Sequence, residues 1–312
     1  LTGALRAVRL FTIQNHYFTI RNWSGQMAHD LPYLVNCSIM FTELPLLERP
    51  AAAKAAGFDA VEFWWPFARP VPDSAEVDAF VRAIRDAGVR LVGLNFFAGD
   101  LAGPDCGVLS IPSRSAEFQD NIDVTVGIGA ELGADLGPIG FNALYGNRVD
   151  GVPPEQQDDL AAENLVRAAK AAAGIEATVL VEAVSGPKPY PLRTAAQVVS
   201  VLDRVRAAGA ANVGFLCDLY HLAVNYAATN GDDIDGDIDA DIDRYAGQVA
   251  HVQIADAPGR GEPGTGALDL DRYLGALQAA GYGGWVSLEY KPSTGDTVKS
   301  LDWLPVERRR AK

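Results

Sequence analysis

From Tyr33 onward, short apolar runs alternate with longer Ala-rich stretches whose apolar residues recur at helical spacing. Short apolar runs bounded by turn residues read as strands, and longer stretches with a period near 3.6 read as helices. The predicted strands are 33–39, 60–65, 90–97, 134–141, 178–184, 213–219, 251–256 and 285–290. The predicted helices are 46–56, 73–87, 115–132, 154–173, 194–208, about 233–247, 268–280 and about 294–303. Glycine precedes most strands, in AAGFD, DAGVR, ELGAD, AAGIE, RAAGA and AAGYG, as expected where a helix gives way to a short loop. Eight strand–helix units in alternation predict a parallel sheet, and eight is the number that closes a single (β/α)8 TIM barrel. A doubly wound open sheet is the competing architecture, weakened by the lack of GxGxxG after the first strand.

Two stretches depart from this rhythm. Residues 1–26 are basic, contain no acid and precede MAHDLPYLVN; they are expected to be an upstream extension outside the fold, with a basic targeting peptide as the alternative. The barrel is assigned to 27–312. The run DDIDGDIDADID (232–243) is acidic, but Ile234, Ile238 and Ile242 recur every four residues, which predicts a solvated helix with one apolar face on the barrel. An EF-hand is not expected, since the glycine and glutamate of that loop are not in place.

Composition narrows the partners. The chain of 312 residues is 48% hydrophobic and carries a net charge of −14. That balance disfavours a nucleic acid, which needs clustered Lys and Arg, while leaving room for a small acid held by a local positive site. Cys37, Cys106 and Cys217 are far apart and form no CxxC, which argues for a reducing, cytoplasmic setting and against a zinc–cysteine site. No apolar run approaches the roughly 20 residues that span a bilayer, so no membrane partner is expected. The oligomeric state stays open, a homo-oligomer included.

The chemistry lies where carboxylates interrupt apolar strands. Residues two apart share a strand face, which pairs Leu180 with Glu182, Leu216 with Asp218, His251 with Gln253 and Ser287 with Glu289. Each polar residue falls at or near the C-terminal end of its run, where barrel active sites collect. Three carboxylates converging there would repel one another unless a cation neutralised them, and oxygen donors from Asp, Glu and Gln suit Mg2+ or Mn2+ better than zinc. Singly, each has a blander reading: a strand-end Glu is commonly solvated or ion-paired, Gln253 a satisfied core amide, and His221 a structural histidine. The conjunction on four successive strands favours a metal site of Glu182, Asp218, Gln253 and Glu289. Glu62 and Asn95 sit at comparable positions on the second and third strands.

VEFWWPF, NFFAGDLAG, FNALYGNR, VEAV, CDLYH, HVQIADAPGRGEPGTGALD and LEYKPSTGDTVKSLDWL together resemble the hydroxypyruvate isomerases of the xylose-isomerase-like TIM-barrel superfamily, over nearly all of 27–304. The resemblance implies a divalent ion on Glu182, Asp218, Gln253 and Glu289, with Glu182 and Glu289 as the acid/base pair. It also implies substrate contacts from His221 and Arg260, with Glu62 and Glu262 as weaker candidates, and a place in carbohydrate and glyoxylate metabolism. Interconversion of hydroxypyruvate and tartronate semialdehyde moves a proton from C3 to C2 through an enediolate, whose negative charge the ion would stabilise.

Two departures put the substrate in question. The strand-five glutamate is followed by AVSGPKPYPL where the family usually has Pro and an Asn-Thr-Arg-like segment, and Tyr145 stands where a small residue is more usual. Lys188 either replaces the missing positive group or is a surface lysine. A 2-oxo-tetronate isomerase is therefore the nearest rival. Epimerases of the superfamily usually place His where Gln253 stands, and the related endonucleases need a His-rich zinc cluster. A non-catalytic sugar-binding barrel remains as the reading from a different class.

Overall fold

The computed structural model describes residues 27–133, 139–186, 188–230 and 234–310. The expected N-terminal extension, 1–26, lies outside these described residues. Eight parallel strands close into a barrel in chain order: β1 Tyr33–Asn36, β2 Ala60–Phe63, β3 Arg90–Asn95, β4 Gly140–Asn142, β5 Thr178–Glu182, β6 Val213–Asp218, β7 Val249–Ile254 and β8 Val286–Leu288. Closure is made by β1, which pairs with β2 (Asn36 opposite Glu62) and with β8 (Leu34 opposite Ser287). The architecture is a single (β/α)8 TIM barrel.

The helices are α1 Arg49–Ala55, α2 Ser74–Ala87, α3 Ser115–Gly133, α4 Pro154–Ala173, α5 Ala195–Ala207, α6 Leu219–Asn230, α7 Ile234–Tyr245, α8 Leu270–Ala279 and the single turn α9 Thr297–Ser300. α2 shows how the sequence sets such limits. Asp73 and Glu76 form a capping box at its start, and Gly88 (φ 64) leaves the last turn in the left-handed conformation that glycine adopts without a Cβ clash. Outward-facing strand residues such as Val35, Val61, Val181 and Val252 pack with Phe80, Ile84, Leu165, Leu202 and Leu274 of the helices into one continuous core. A small separate cluster of Leu34, Ala60 and Val92, with Trp285 against it, lies on alternate positions of the same strands.

Several strands are shorter than the sequence reading, β1 ending at Asn36 and β2 at Phe63, and three further differences stand out. β4 ends at Asn142, one residue beyond the predicted strand, and residues 134–138 of that strand lie outside the described residues. The helix expected over 294–303 shrinks to α9. Most consequentially, α6 starts directly after Asp218, where no helix is predicted: LYHLAV continues the apolar run of β6, and a short apolar run does not by itself distinguish strand from buried helix. The acidic run forms α7, with Ile238 and Ile242 buried, as the four-residue spacing predicts. Among the described residues no helix is long and apolar enough to cross a membrane, and all three cysteines are free and buried.

Candidate active site

Every strand delivers a buried polar side chain at, or within one residue of, its C-terminal end: Asn36, Glu62, Asn95, Asn142, Glu182, Asp218, Gln253 and Glu289. Above them opens a cavity of about 570 Å3, whose wall includes Glu182, Glu289, His221, Arg260, Trp64 and Lys188. The four residues expected to hold a metal are thus brought to one end of the barrel, on four neighbouring strands, with Asp218 directly opposite Gln253.

Asp218 has two tasks. Its Oδ1 accepts the His221 backbone N–H at 3.0 Å, satisfying a donor at the start of α6, and a carboxylate is favoured at that end of a helix. Its Oδ2 faces His221 Nε2 at 3.7 Å and Arg260 Nη2 at 4.0 Å. Glu182 accepts from Asn142 Nδ2 at 2.8 Å and faces His221 Nε2 at 3.8 Å. Glu289 is the most heavily bonded of the three. Its Oε1 accepts from Trp64 Nε1 at 2.7 Å and Asn36 Nδ2 at 3.0 Å, and its Oε2 pairs with the Arg260 guanidinium.

Burial pushes all three carboxyls upward. Glu182 is held well above the carboxylate range by burial and then by the charges of Glu289 and Asp218. Asp218 rises to about 7, from burial and then Glu289. Burial raises Glu289 against the lowering charge of Arg260. Such a cage is poorly compensated by Arg260 alone, and each remaining negative charge is stabilised by a cation placed among them.

Glu182, Asp218 and His221 bring ligand-capable atoms within 4.8 Å of one another, a buried triad that could hold a metal ion. The hydrogen bonds of His221 refine its part. The Ser185 backbone N–H donates to Nδ1 at 3.0 Å and the Ser185 hydroxyl lies 2.7 Å from the same atom, so Nδ1 is the acceptor and Nε2 carries the proton. Burial and then the charges of Arg260 and Arg193 keep the ring neutral, well below the usual histidine range. In this tautomer His221 is a donor facing the carboxylates. Gln253 Oε1 is buried and has no hydrogen-bond partner, while its Nε2 donates to Glu62.

The other two expected substrate residues stand apart from the cavity wall. Glu62 lies beneath, its Oε2 2.6 Å from His251 Nε2 and its Oε1 accepting from Asn36 and Gln253. Burial pushes its carboxyl up, but the charge of His251 and the bonds to it carry the balance below the usual range. Glu262 accepts from the Ser293 backbone and hydroxyl and so ties the 256–268 loop to the turn after β8. Asp256 folds that loop by accepting from Ala257, Gly264 and Leu268. Arg260 stands on it with φ 60, a left-handed backbone that costs of order 1 kcal/mol in a non-glycine residue. Lys291 N–H to Arg260 O, at 2.7 Å, helps to hold it there.

Lys188 is not a free surface lysine: it is half-buried, lines the cavity and donates to the carbonyls of Leu101 and Asp105. Sequence reasoning gives no role to Asn36, Ser185 or His251, and leaves Trp64 among the FWWPF aromatics that either wall a pocket or pack under a loop; the structure puts it in the cavity wall. Asn36 ends β1, but the strand predicted over 33–39 runs past it, so the strand-end rule misses it; nothing in the sequence marks Ser185 as the partner of His221.

Comparison with known proteins agrees with this architecture. The sequence model of the family described as xylose isomerase-like TIM barrel matches residues 50–306. A Streptomyces coelicolor protein named "Putative hydroxypyruvate isomerase" is 54% identical over 288 residues, covering 91% of this chain and 99% of its own. A Haemophilus influenzae protein named "2-oxo-tetronate isomerase" is 30% identical, covering 87% of this chain and 97% of its own. Among solved structures, one described as an AP endonuclease, family 2, from Brucella melitensis superposes with a TM-score of 0.74 at 31% identity, covering 88% of this chain and 98% of its own. With a closed eight-stranded barrel, polar strand ends and a family match over most of its length, this chain belongs to the xylose isomerase-like TIM barrel family, alongside relatives named as isomerases.

Proposed function

We propose that this enzyme is a divalent-metal-dependent isomerase interconverting hydroxypyruvate and tartronate semialdehyde (2-hydroxy-3-oxopropanoate). The observation that carries the reading is the cage of Glu182, Asp218 and Glu289, all buried, with Gln253, opposite Asp218 on the next strand, keeping its Oε1 without a partner. This donor set fits a hard cation: all four groups offer oxygen, which suits Mg2+ or Mn2+. When bound, the ion supplies charge stabilisation for an enediolate.

The chain's own residues do the rest. Glu182 has one hydrogen-bond donor on its carboxylate, whereas Glu289 has several, Arg260 among them. The donors around Glu289 favour its anion and make it the stronger acid of the two, leaving Glu182 the stronger base. Glu182 takes the proton from C3, the hydroxyl proton on O3 passes to O2 at the enediolate stage, and Glu289 delivers a proton to C2; solvent at the open mouth then restores the two protonation states. Arg260 anchors the substrate carboxylate, and the His221 Nε2–H donates to a substrate oxygen. Isomerisation followed by NMR with Mg2+ or Mn2+, and again with excess chelator, tests the reading. Undiminished turnover after chelation removes it.

A four-carbon 2-oxo acid is the second reading. The cavity of about 570 Å3 is of the size that encloses ligands well beyond three carbons, and Lys188 reaches into its wall from the altered loop. Parallel assays on hydroxypyruvate and 2-oxo-tetronate decide between them by kcat/KM. A nucleic-acid partner is not part of the proposal: a net charge of −14 opposes phosphate-backbone binding.

A further inference from the structure

We propose that Glu62, held by His251, is a positioning residue that locks the Gln253 amide with its NH2 group toward Glu62 and Glu289 and its oxygen free for a cation, and thereby sets metal affinity. The inference rests on the metal-site reading of the mouth.

The two ends of a glutamine amide are nearly the same size, so a half-turn about the last torsion exchanges an acceptor for a donor with little change in packing. A glutamine that must present oxygen to a cation therefore needs something to forbid the flipped form. Here Gln253 Nε2 lies 2.7 Å from Glu62 Oε1 and 3.3 Å from Glu289 Oε1. Ionised carboxylate oxygens only accept, so the atom facing them is the NH2 group. Flipped, the amide would set its carbonyl oxygen against both and lose a charge-assisted hydrogen bond. The consequence is visible at the other end, where Oε1 is buried without a partner.

Glu62 is itself fixed on every side. Asn36 Nδ2 donates to its Oε1 at 2.9 Å, and the same nitrogen reaches Glu289 Oε1 at 3.0 Å. His251 Nε2 lies 2.6 Å from its Oε2, a distance at which the ring nitrogen is the donor. Gly93, on β3, makes room: a Cβ there would stand 2.9 Å from both Glu62 Cβ and Oε2. Both oxygens of Glu62 are thus occupied below the cavity, and it reaches the cage through Gln253 and through Asn36, whose Nδ2 it shares with Glu289. Partners of this kind, one bond away from a ligand, typically change metal affinity by about 10–100-fold when removed.

The test is a double-mutant cycle read by Mn2+ binding, using electron paramagnetic resonance or calorimetry on the full chain. Glu62→Gln lets residue 62 present an NH2 group to Gln253 and removes the nearer of the two carboxylates that oppose the flip; it is expected to weaken Mn2+ about 10–100-fold. Gln253→Glu removes the ambiguity, because a carboxylate offers oxygen at either end. In that background Glu62→Gln should no longer weaken binding, and it relieves a like-charge contact between Glu62 and the new carboxylate. Should Glu62→Gln fail to fold by circular dichroism, Glu62→Asp, which withdraws the carboxylate by one methylene, takes its place with the same expected sign. Affinity within about threefold of the parent, or an equal loss in both backgrounds, overturns the lock. Absence of Mn2+ binding by the unaltered chain overturns the metal-site reading itself, a result distinct from either.

Discussion

Two acid-rich regions of this barrel behave in opposite ways. α7 holds the densest run of aspartates in the sequence, yet apart from Asp241, which turns in to accept from the Tyr226 hydroxyl, its acids lie toward solvent. Asp235 and Asp239 pair with Arg272, while Ile238 and Ile242 bury the other face. The mouth has three carboxylates scattered over more than a hundred residues of chain, and all are buried among one another with one arginine between them. Density of charge in sequence marks solvation; charge interrupting an apolar strand marks a site. The energetic reason is that water compensates the first set and only a cation or a proton can compensate the second.

The comparison breaks most sharply in activity. Glu182→Gln and Glu289→Gln should each lower turnover by about 10²–10⁴-fold, the usual worth of a positioned acid or base. Asp237→Asn on α7 should leave initial rates unchanged. Full activity in either glutamine variant would remove the two-carboxylate mechanism and make the mouth as inert as the helix.

Metal-linked stability comes next. Mn2+ or Mg2+ at about 100 times its dissociation constant should stabilise the parent by about 2.7 kcal/mol, seen as a rise in Tm of several degrees. Asp218→Asn keeps a capping acceptor for the start of α6 but removes one uncompensated buried charge. The metal-free variant should therefore melt at or above the parent, while its response to metal shrinks. A metal response as large as the parent's would place the ion away from Asp218.

A pH series tests the same idea with protons in place of the ion. The Asp218 carboxyl moves from about 3.9 in the unfolded chain to about 7 in the fold, chiefly through burial. Raised pKa means that the folded state keeps a proton the unfolded state has released. Its contribution is fully present below about pH 4 and is lost as pH rises through 7. In chelator, Tm should fall from pH 5 to pH 8; with Mg2+ or Mn2+ present the fall should flatten or reverse, since the ion then replaces the proton. Equal slopes in the two series would show that the cage carboxyls do not govern this pH range.

Much of this contrast is legible in the order of residues alone, because periodicity carries it. The period of two puts Glu182, Asp218 and Glu289 at the ends of apolar runs, and the period of four gives α7 its apolar face. Partnerships closed by the barrel leave no such trace. Gln253 and Glu62 are 191 residues apart and meet only because β2 and β7 face each other across the interior. Trp64 donates to Glu289 across 225 residues, and Ser185 reaches His221 only because α6 begins at once after β6. That helix start is itself hidden, since Asp218 both ends the strand and caps α6. Lys188 shows the same limit: its identity is plain, but its half-buried place depends on the carbonyls of a loop more than eighty residues away.

The smallest expected effect belongs to the acidic helix. Arg272 bridges Asp235 at 3.1 Å and Asp239 at 2.6 Å, with all three side chains substantially exposed. Exposed pairs of this kind contribute from zero to about 1 kcal/mol, because water screens the attraction and two long side chains lose freedom. Asp239→Asn should therefore shift Tm by no more than about 2–3 °C, and 0.5 M salt should shrink the shift further as the Debye length falls below the spacing of the helix charges. The Arg272 guanidinium also lies over the Tyr273 ring, 4.7 Å from its centroid, a contact that the substitution leaves in place. A salt-insensitive loss of several kcal/mol would mean that α7 is held by its charges and not by Ile238 and Ile242. The two acid-rich regions would then differ in degree and no longer in kind.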